Sequence, residues 1–452
     1  MTATLPQQRR HRRFGAVAAL AAFICLFTSA ANATKIERVV SPGGIEAWLV
    51  HETSLPLIAV EFAFRGGANQ DPADMPGVAN MAADLLDEGA GDLDSNTFHE
   101  RLEERAISMS FQASREHLHG SLRMLVDNRD EAFALLKLAL TAPRFDAEPV
   151  ERIRTQVLAQ LKREAVNPNA IANRRWWSVA FPGHPYGQPG RGTLEAVSLI
   201  GADDLKTFMH RSVAKQGMKI AVVGDIDAAT LGPLLDATFG ALPDKPELTP
   251  IADASPQGLG REVVVSLDVP QAVVAFGGSG IPRKDPDFFA AYIVNHILGG
   301  GTFSSRLYGE IREKRGLAYG VSSSLLWLDH AALFVGFTAT RAEKTNETVA
   351  IIQQEIKRMA DEGPTEEELA KAKAFLKGSY GIAFDTSAKI AAQLLQIQID
   401  DLGIDYIDRR NAMIDAVTLA DTQRAAKRLL AGGLLVTVVG RPQPAPVKSQ
   451  GG

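Results

Sequence analysis

His117 and His119 stand two residues apart, a spacing that puts both on one face of a strand, and His99 lies upstream. Imidazoles so placed could share a metal ion. The same pattern also describes a solvated strand face, which is the expectation. Trp176-Trp177 follows Arg174-Arg175 and could stack a ligand. A helix packed on its sheet accounts for the same residues, with one tryptophan in the core and the other partly exposed. His296 precedes a Gly299-Gly300-Gly301 run and is expected to pack. That run is no phosphate-binding loop, because Gly-Lys-Ser/Thr does not follow. A Gly-x-Ser-x-Gly elbow is absent, and the only cysteine, Cys25, falls in an N-terminal leader, so thiol catalysis is excluded from the working chain.

The leader is read from composition. Arg9, Arg10, Arg12 and Arg13 precede an apolar run from Phe14 to Phe27, and Ala31-Asn32-Ala33 has the form of a cleavage site. Residues 1–33 are therefore expected to be a signal peptide, and a periplasmic or secreted location follows. Its loss would take the formal charge from −5 to −9 and leave no cysteine, which suits an oxidising compartment. The full chain, with 46% hydrophobic and 22% charged residues, is of ordinary globular composition. The acidic balance argues against nucleic acid as a partner. No later apolar stretch is long enough to span a membrane.

The elements that carry these residues are duplicated. Lys219-Ile220-Ala221-Val222-Val223-Gly224 compares with Leu435-Val436-Thr437-Val438-Val439-Gly440, offset by 216. Ala196-Val197-Ser198 and Ala416-Val417-Thr418 repeat at 220, and Asp71-Pro72 and Asp285-Pro286 at 214. Residues 243–262 carry Pro243, Pro246, Pro250 and Pro256 and read as a linker. The expected organisation is two homologous halves, 34–242 and 263–440, with a disordered tail at 441–452. Strands are expected at 58–64, 106–113, 263–267 and 333–338. Helices are expected at 129–140, 148–164, 345–360 and 365–379, the last opened by a Thr365–Glu368 capping box. The fold class is α+β, each half an antiparallel sheet with flanking helices.

Pro76-Gly77-Val78-Ala79-Asn80-Met81-Ala82-Ala83-Asp84 follows a strand ending in Arg65-Gly66-Gly67. Here the chain resembles the pitrilysin/insulinase superfamily of zinc peptidases, in the two-domain branch that includes mitochondrial processing peptidase. The His184-Pro185-Tyr186-Gly187 turn is similar too. In that family this helix carries H-x-x-E-H, two ligands and a base on one helix face. The matching positions are Asn80, Ala83 and Asp84, so both histidines and the base are gone. The family's acidic third ligand should fall near Gln160 or Leu161; Glu164 is close, but on a different helix face. The resemblance therefore implies no metal bound by this chain.

The second half resembles the family in what it keeps. Gly299-Gly300-Gly301-Thr302-Phe303-Ser304-Ser305-Arg306-Leu307 looks like the glycine-rich segment, and Arg312 and Tyr319 look like the Arg/Tyr pair seven residues apart. By resemblance, Gly299, Gly300, Gly301 and Phe303 contact substrate, while Arg312 and Tyr319 hold peptide carbonyls and the developing oxyanion. The strand at 106–113 corresponds to the family's edge strand that pairs with extended peptide. The implied protein is the non-zinc subunit of a heteromeric zinc peptidase, inactive alone, whose homologous partner supplies H-x-x-E-H and zinc. A scaffold or peptide-binding relative is the alternative.

Overall fold

A computed structural model describes residues 35–441; the expected leader and all but the first residue of the expected tail lie outside the described residues. The first sheet contains β1 (Glu37–Val40), β2 (Glu46–His51), β3 (Leu57–Arg65), β4 (Ser108–Ala113), β5 (His117–Leu125) and β6 (Lys219–Gly224), in the order β1-β2-β6-β3-β5-β4. The second contains β7 (Glu262–Ser266), β8 (Gln271–Ser279), β9 (Ala318–Trp327), β10 (Ala332–Arg341) and β11 (Leu435–Gly440), in the order β7-β11-β8-β10-β9. From β2 and from β7 onward the two orders are the same.

The repeat extends to packing. Gly120 of β5 faces Phe62 of β3, and a Cβ there would lie 2.0 Å from the ring; Gly336 of β10 faces Phe276 of β8 at 2.1 Å. Each phenylalanine lies over a glycine across the ladder, a pairing that fixes register. The sheets depart from pure antiparallel pairing at one place each. β2 pairs with β6, and β7 with β11, in parallel. β6 enters between β2 and β3, which run in opposite directions, so it must run parallel to one of them.

The expected helices form at Arg129–Thr141, Ala147–Glu164, Thr345–Glu362 and Glu366–Gly378, with the Thr365–Glu368 capping box in place. Alternate residues of β3 face different cores. Ile58, Val60, Phe62 and Phe64 pack within the first half. Ala59 and Ala63 instead meet Ala391, Leu394, Leu395 and Ile397 of the helix Ser387–Ile399, which belongs to the second half. The exchange is reciprocal: Trp176, Trp177 and Ala180 of the helix Pro168–Ala180 pack on Val273, Ala275, Leu435 and Val439 of the second sheet. Each crossing helix also ties itself to a strand. Trp176 Nε1 donates to the Leu435 carbonyl at 3.1 Å, and Gln398 Nε2 to the Ile220 carbonyl at 2.9 Å.

This exchange corrects the reading of the tryptophan pair. Both are buried, at 3% and 8% exposure, rather than one being partly exposed: Phe181 and the Arg115 guanidinium, 3.7 Å from the ring, cover Trp177. Residues 243–261 carry no helix or strand, and their backbone bonds to both halves, through Gln257 to Ala180 and Ala254 to His330. No helix among the described residues is long and apolar enough to cross a membrane.

Candidate functional site

The helix Val78–Ala83, which should carry a metal motif, is short, and it is positioned by a carboxylate. Asp71 accepts hydrogen bonds from the backbone N–H groups of Gly77 at 2.7 Å and Ala79 at 2.8 Å. Burial pushes this carboxyl up to about 7, against the two N–H bonds that favour its charged form. Gly77 has φ of 109°, a conformation that favours glycine.

Asn80, Ala83 and Asp84 line a cavity of about 690 Å³ with Gln160 and Leu161, so the degenerate helix positions and both candidates for the third-ligand position do converge. Their chemistry is not that of a zinc site. Asn80 Nδ2 donates to the Gly190 carbonyl at 2.7 Å and so ties the helix to the turn after Tyr186. Gln160 donates to Glu164 at 2.9 Å and accepts from Arg163. Glu164 therefore shares the helix face of Gln160, one turn on, contrary to the sequence reading; it lines the neighbouring cleft rather than this cavity. Among the described residues no three His, Cys, Asp or Glu side chains gather as a metal-binding group.

Asp87 also lines the cavity, and burial pushes its carboxyl up to about 6, with Glu88 and Asp84 acting the same way. Sequence reasoning missed it, although Asn80, Asp84 and Asp87 follow a helical spacing that could have found it. Ser110, Phe111, Gln112 and Ala113 form another wall. They belong to β4, which is the edge of its sheet, so its outer backbone groups are open to pairing.

Arg312 and Tyr319 lie together in the second half. Arg312 Nη1 donates to the Tyr319 carbonyl at 2.9 Å, and the guanidinium sits 4.3 Å from the Tyr319 ring and 5.2 Å from the Tyr308 ring. Tyr319 is 85% exposed at the start of the edge strand β9, and its phenol makes no hydrogen bond among the described residues. Phe303 is exposed and packs edge-on against Tyr308 at 5.2 Å. These aromatic and cationic groups form one patch. Neither they nor the three glycines line the cavity at Asn80.

The glycines have a packing reason of their own. A Cβ on Gly299 would lie 2.5 Å from Ser323 of β9, on Gly300 2.7 Å from Asn295, and on Gly301 2.8 Å from the His296 carbonyl. His296 is buried and stacks on Phe375 at 5.0 Å, as a packing residue.

His117 and His119 are not on a solvated face. They are half-buried in a cavity of about 610 Å³ where the β9–β10 turn and the helix Ser387–Ile399 cover β5. Burial lowers both, His117 to about 4, helped by the neighbouring His119 and Arg65 and opposed by Asp329. Beside them Glu116 accepts from the backbone N–H of Asp329 at 2.8 Å and from the phenol of Tyr186, a further tie between the halves.

Comparison with known proteins agrees with this fold. The sequence pattern of the insulinase family (peptidase family M16) matches residues 49–194, and that of the peptidase M16 inactive domain matches residues 200–376. A non-peptidase homologue from Helicobacter pylori is 30% identical over 334 residues, 74% of this chain and 77% of that one. An uncharacterised zinc protease from Streptomyces coelicolor is 25% identical and covers 90% of this chain and 89% of its own. The crystal structure of a peptidase M16 inactive domain from Pseudomonas fluorescens superposes with a TM-score of 0.85 at 28% identity, over 91% of this chain and 98% of that one.

Proposed function

Because this chain belongs to the insulinase (M16) family of peptidases and lacks the family's zinc motif, we propose that it is the non-zinc subunit of a heteromeric zinc endopeptidase. A homologous partner carrying H-x-x-E-H would hold the zinc, which lowers the pKa of bound water for attack on a peptide. This chain would supply Arg312 and Tyr319 to the shared site. Zinc is assigned to the partner and none to this chain.

One observation carries the reading. Tyr319 is highly exposed with its phenol free, and its neighbour Arg312 holds its backbone rather than an internal acid. An exposed phenol backed by a guanidinium can donate to a peptide carbonyl and to the oxygen that becomes negative as water adds. Phe303 packs on Tyr308, the ring that also meets the Arg312 guanidinium, and offers an apolar contact to a substrate side chain. The open edge of β4 can pair with an extended peptide whatever its sequence. The N-terminal leader is read as an export signal, which places the assembly in the periplasm or outside the cell.

A scaffold or peptide-binding subunit without catalysis is the second reading, favoured by the similarity to a relative described as a non-peptidase homologue. The two differ in one assay. The chain is purified alone, and with a homologous H-x-x-E-H chain from the same source, and zinc content and cleavage of an unstructured peptide are measured for each. Zinc-dependent cleavage that needs both chains and weakens in Tyr319→Phe supports the subunit; full cleavage by the zinc chain alone supports the scaffold.

A further inference from the structure

Three arginines converge on a second cleft, next to the cavity at Asn80. It measures about 330 Å³ and lies between the start of the helix Pro168–Ala180 and the turn Gly187–Gly192. Arg115, Arg174 and Arg191 line it, and Glu164 is its single carboxylate. That carboxylate serves the cations loosely, at 3.7 Å to Arg174 and 4.0 Å to Arg191, and it also accepts from Gln160. Arg115 has no ion pair or hydrogen bond to its guanidinium among the described residues; it lies over Trp177, 3.7 Å from the ring. Burial lowers it to about 10. The adjacent acid, Glu116, is engaged with Tyr186 and Asp329 and lines the other cavity.

The cleft thus sets three cations against one carboxylate, in an open site that Trp177 also lines. Guanidinium forks match carboxylates in shape and charge. Position adds to composition. β4 ends at Ala113, and Arg115 follows two residues later. Arg191 lines both the large cavity and the cleft. An extended segment paired on the free edge of β4 would cross the large cavity and run out at the arginines.

We propose that this cleft is a carboxylate-binding site for peptides, in which Arg115, Arg174 and Arg191 receive a carboxylate of a segment paired on β4. The inference rests on the reading of this chain as peptide-binding and adds the chemical class it selects. Two sources supply that chemistry, the C-terminal carboxylate and an acidic side chain.

The test uses the full chain alone, with Trp177 beneath Arg115 as a fluorescence reporter. A short unstructured peptide with a free C-terminus is titrated against its C-terminal amide and against the amide carrying one internal glutamate. The free acid or the glutamate peptide is expected to bind about tenfold or more tightly than the plain amide. Which of the two does so identifies the source. Arg191→Gln, a change to a largely exposed side chain, is expected to remove that preference, as is Arg115→Gln if it folds. Equal affinity for all three peptides, or a preference that survives Arg191→Gln, overturns the proposal. The outcome is separable from the subunit reading: peptide selection without partner-dependent cleavage retains this site and rejects that reading, and cleavage without selection does the reverse.

Discussion

Arg312 donates to the backbone carbonyl of Tyr319 at 2.9 Å while its guanidinium lies 4.3 Å from the Tyr319 ring. The pair is assembled before any substrate arrives. Its geometry is set by the turn between the glycine-rich segment and β9, and the phenol points away from any internal partner. A donor fixed in advance stabilises developing charge without reorganising during the reaction.

Arg312→Lys tests that arrangement. Lysine keeps the charge but loses the planar fork that reaches the Tyr319 carbonyl and covers two rings. In the assembled complex kcat/KM for a peptide is expected to fall by about tenfold or more, with the urea midpoint of the chain unchanged because the site is at the surface.

Gly336→Ala tests the repeated phenylalanine–glycine pairing. The new methyl would sit 2.1 Å from the Phe276 ring, so the ring must move within a packed core. A loss of about 1–3 kcal/mol in denaturant unfolding is expected. Gly320→Ala, where a Cβ meets nothing within 4 Å, is the control.

Trp176→Ala tests the exchange of helices. It empties a buried site between the halves and leaves the Leu435 carbonyl without its partner. About 3–5 kcal/mol should be lost. The predicted signature is one cooperative transition in wild type; separate unfolding of the halves in the variant would show that the crossing helices couple them.

The duplication was legible because it is written locally. Val-Val-Gly recurs at a fixed offset, and β6 and β11 occupy the same place in their sheets. The long helices were legible from their spacing and caps. The crossing helices were not. Trp176 meets Leu435, and Gln398 meets Ile220, across long stretches of chain, and no periodicity within either segment distinguishes its own sheet from the other. The same exchange hid the burial of Trp177, and the helix Ser387–Ile399 and the β9–β10 turn hid that of His117 and His119. At the site, the loss of Asn80, Ala83 and Asp84 as metal-site residues was read directly, but the three-arginine cleft was not, because its members come from three separate segments.

His117 provides a pH test. Burial holds its folded-state value near 4, below the ordinary 6.5, so the unfolded chain binds more protons between those values. The His117 contribution to stability therefore rises with pH across roughly 4 to 6.5 and is lost as pH falls through that window, against the raised carboxyls of Asp71 and Asp87, which act in the opposite sense over much of the same range. In His117→Gln this slope should flatten in urea titrations at several pH values. An unchanged slope would assign the acid limb to other groups.

The most direct test of the central claim is peptide cleavage by this chain combined with a homologous H-x-x-E-H chain, comparing wild type with Tyr319→Phe. The account predicts no cleavage and no stoichiometric zinc for this chain alone, zinc-dependent cleavage by the pair, and a fall of about 10²–10³ in rate for the variant. Full activity of the Tyr319→Phe complex, or chelator-sensitive cleavage by this chain alone, would contradict it.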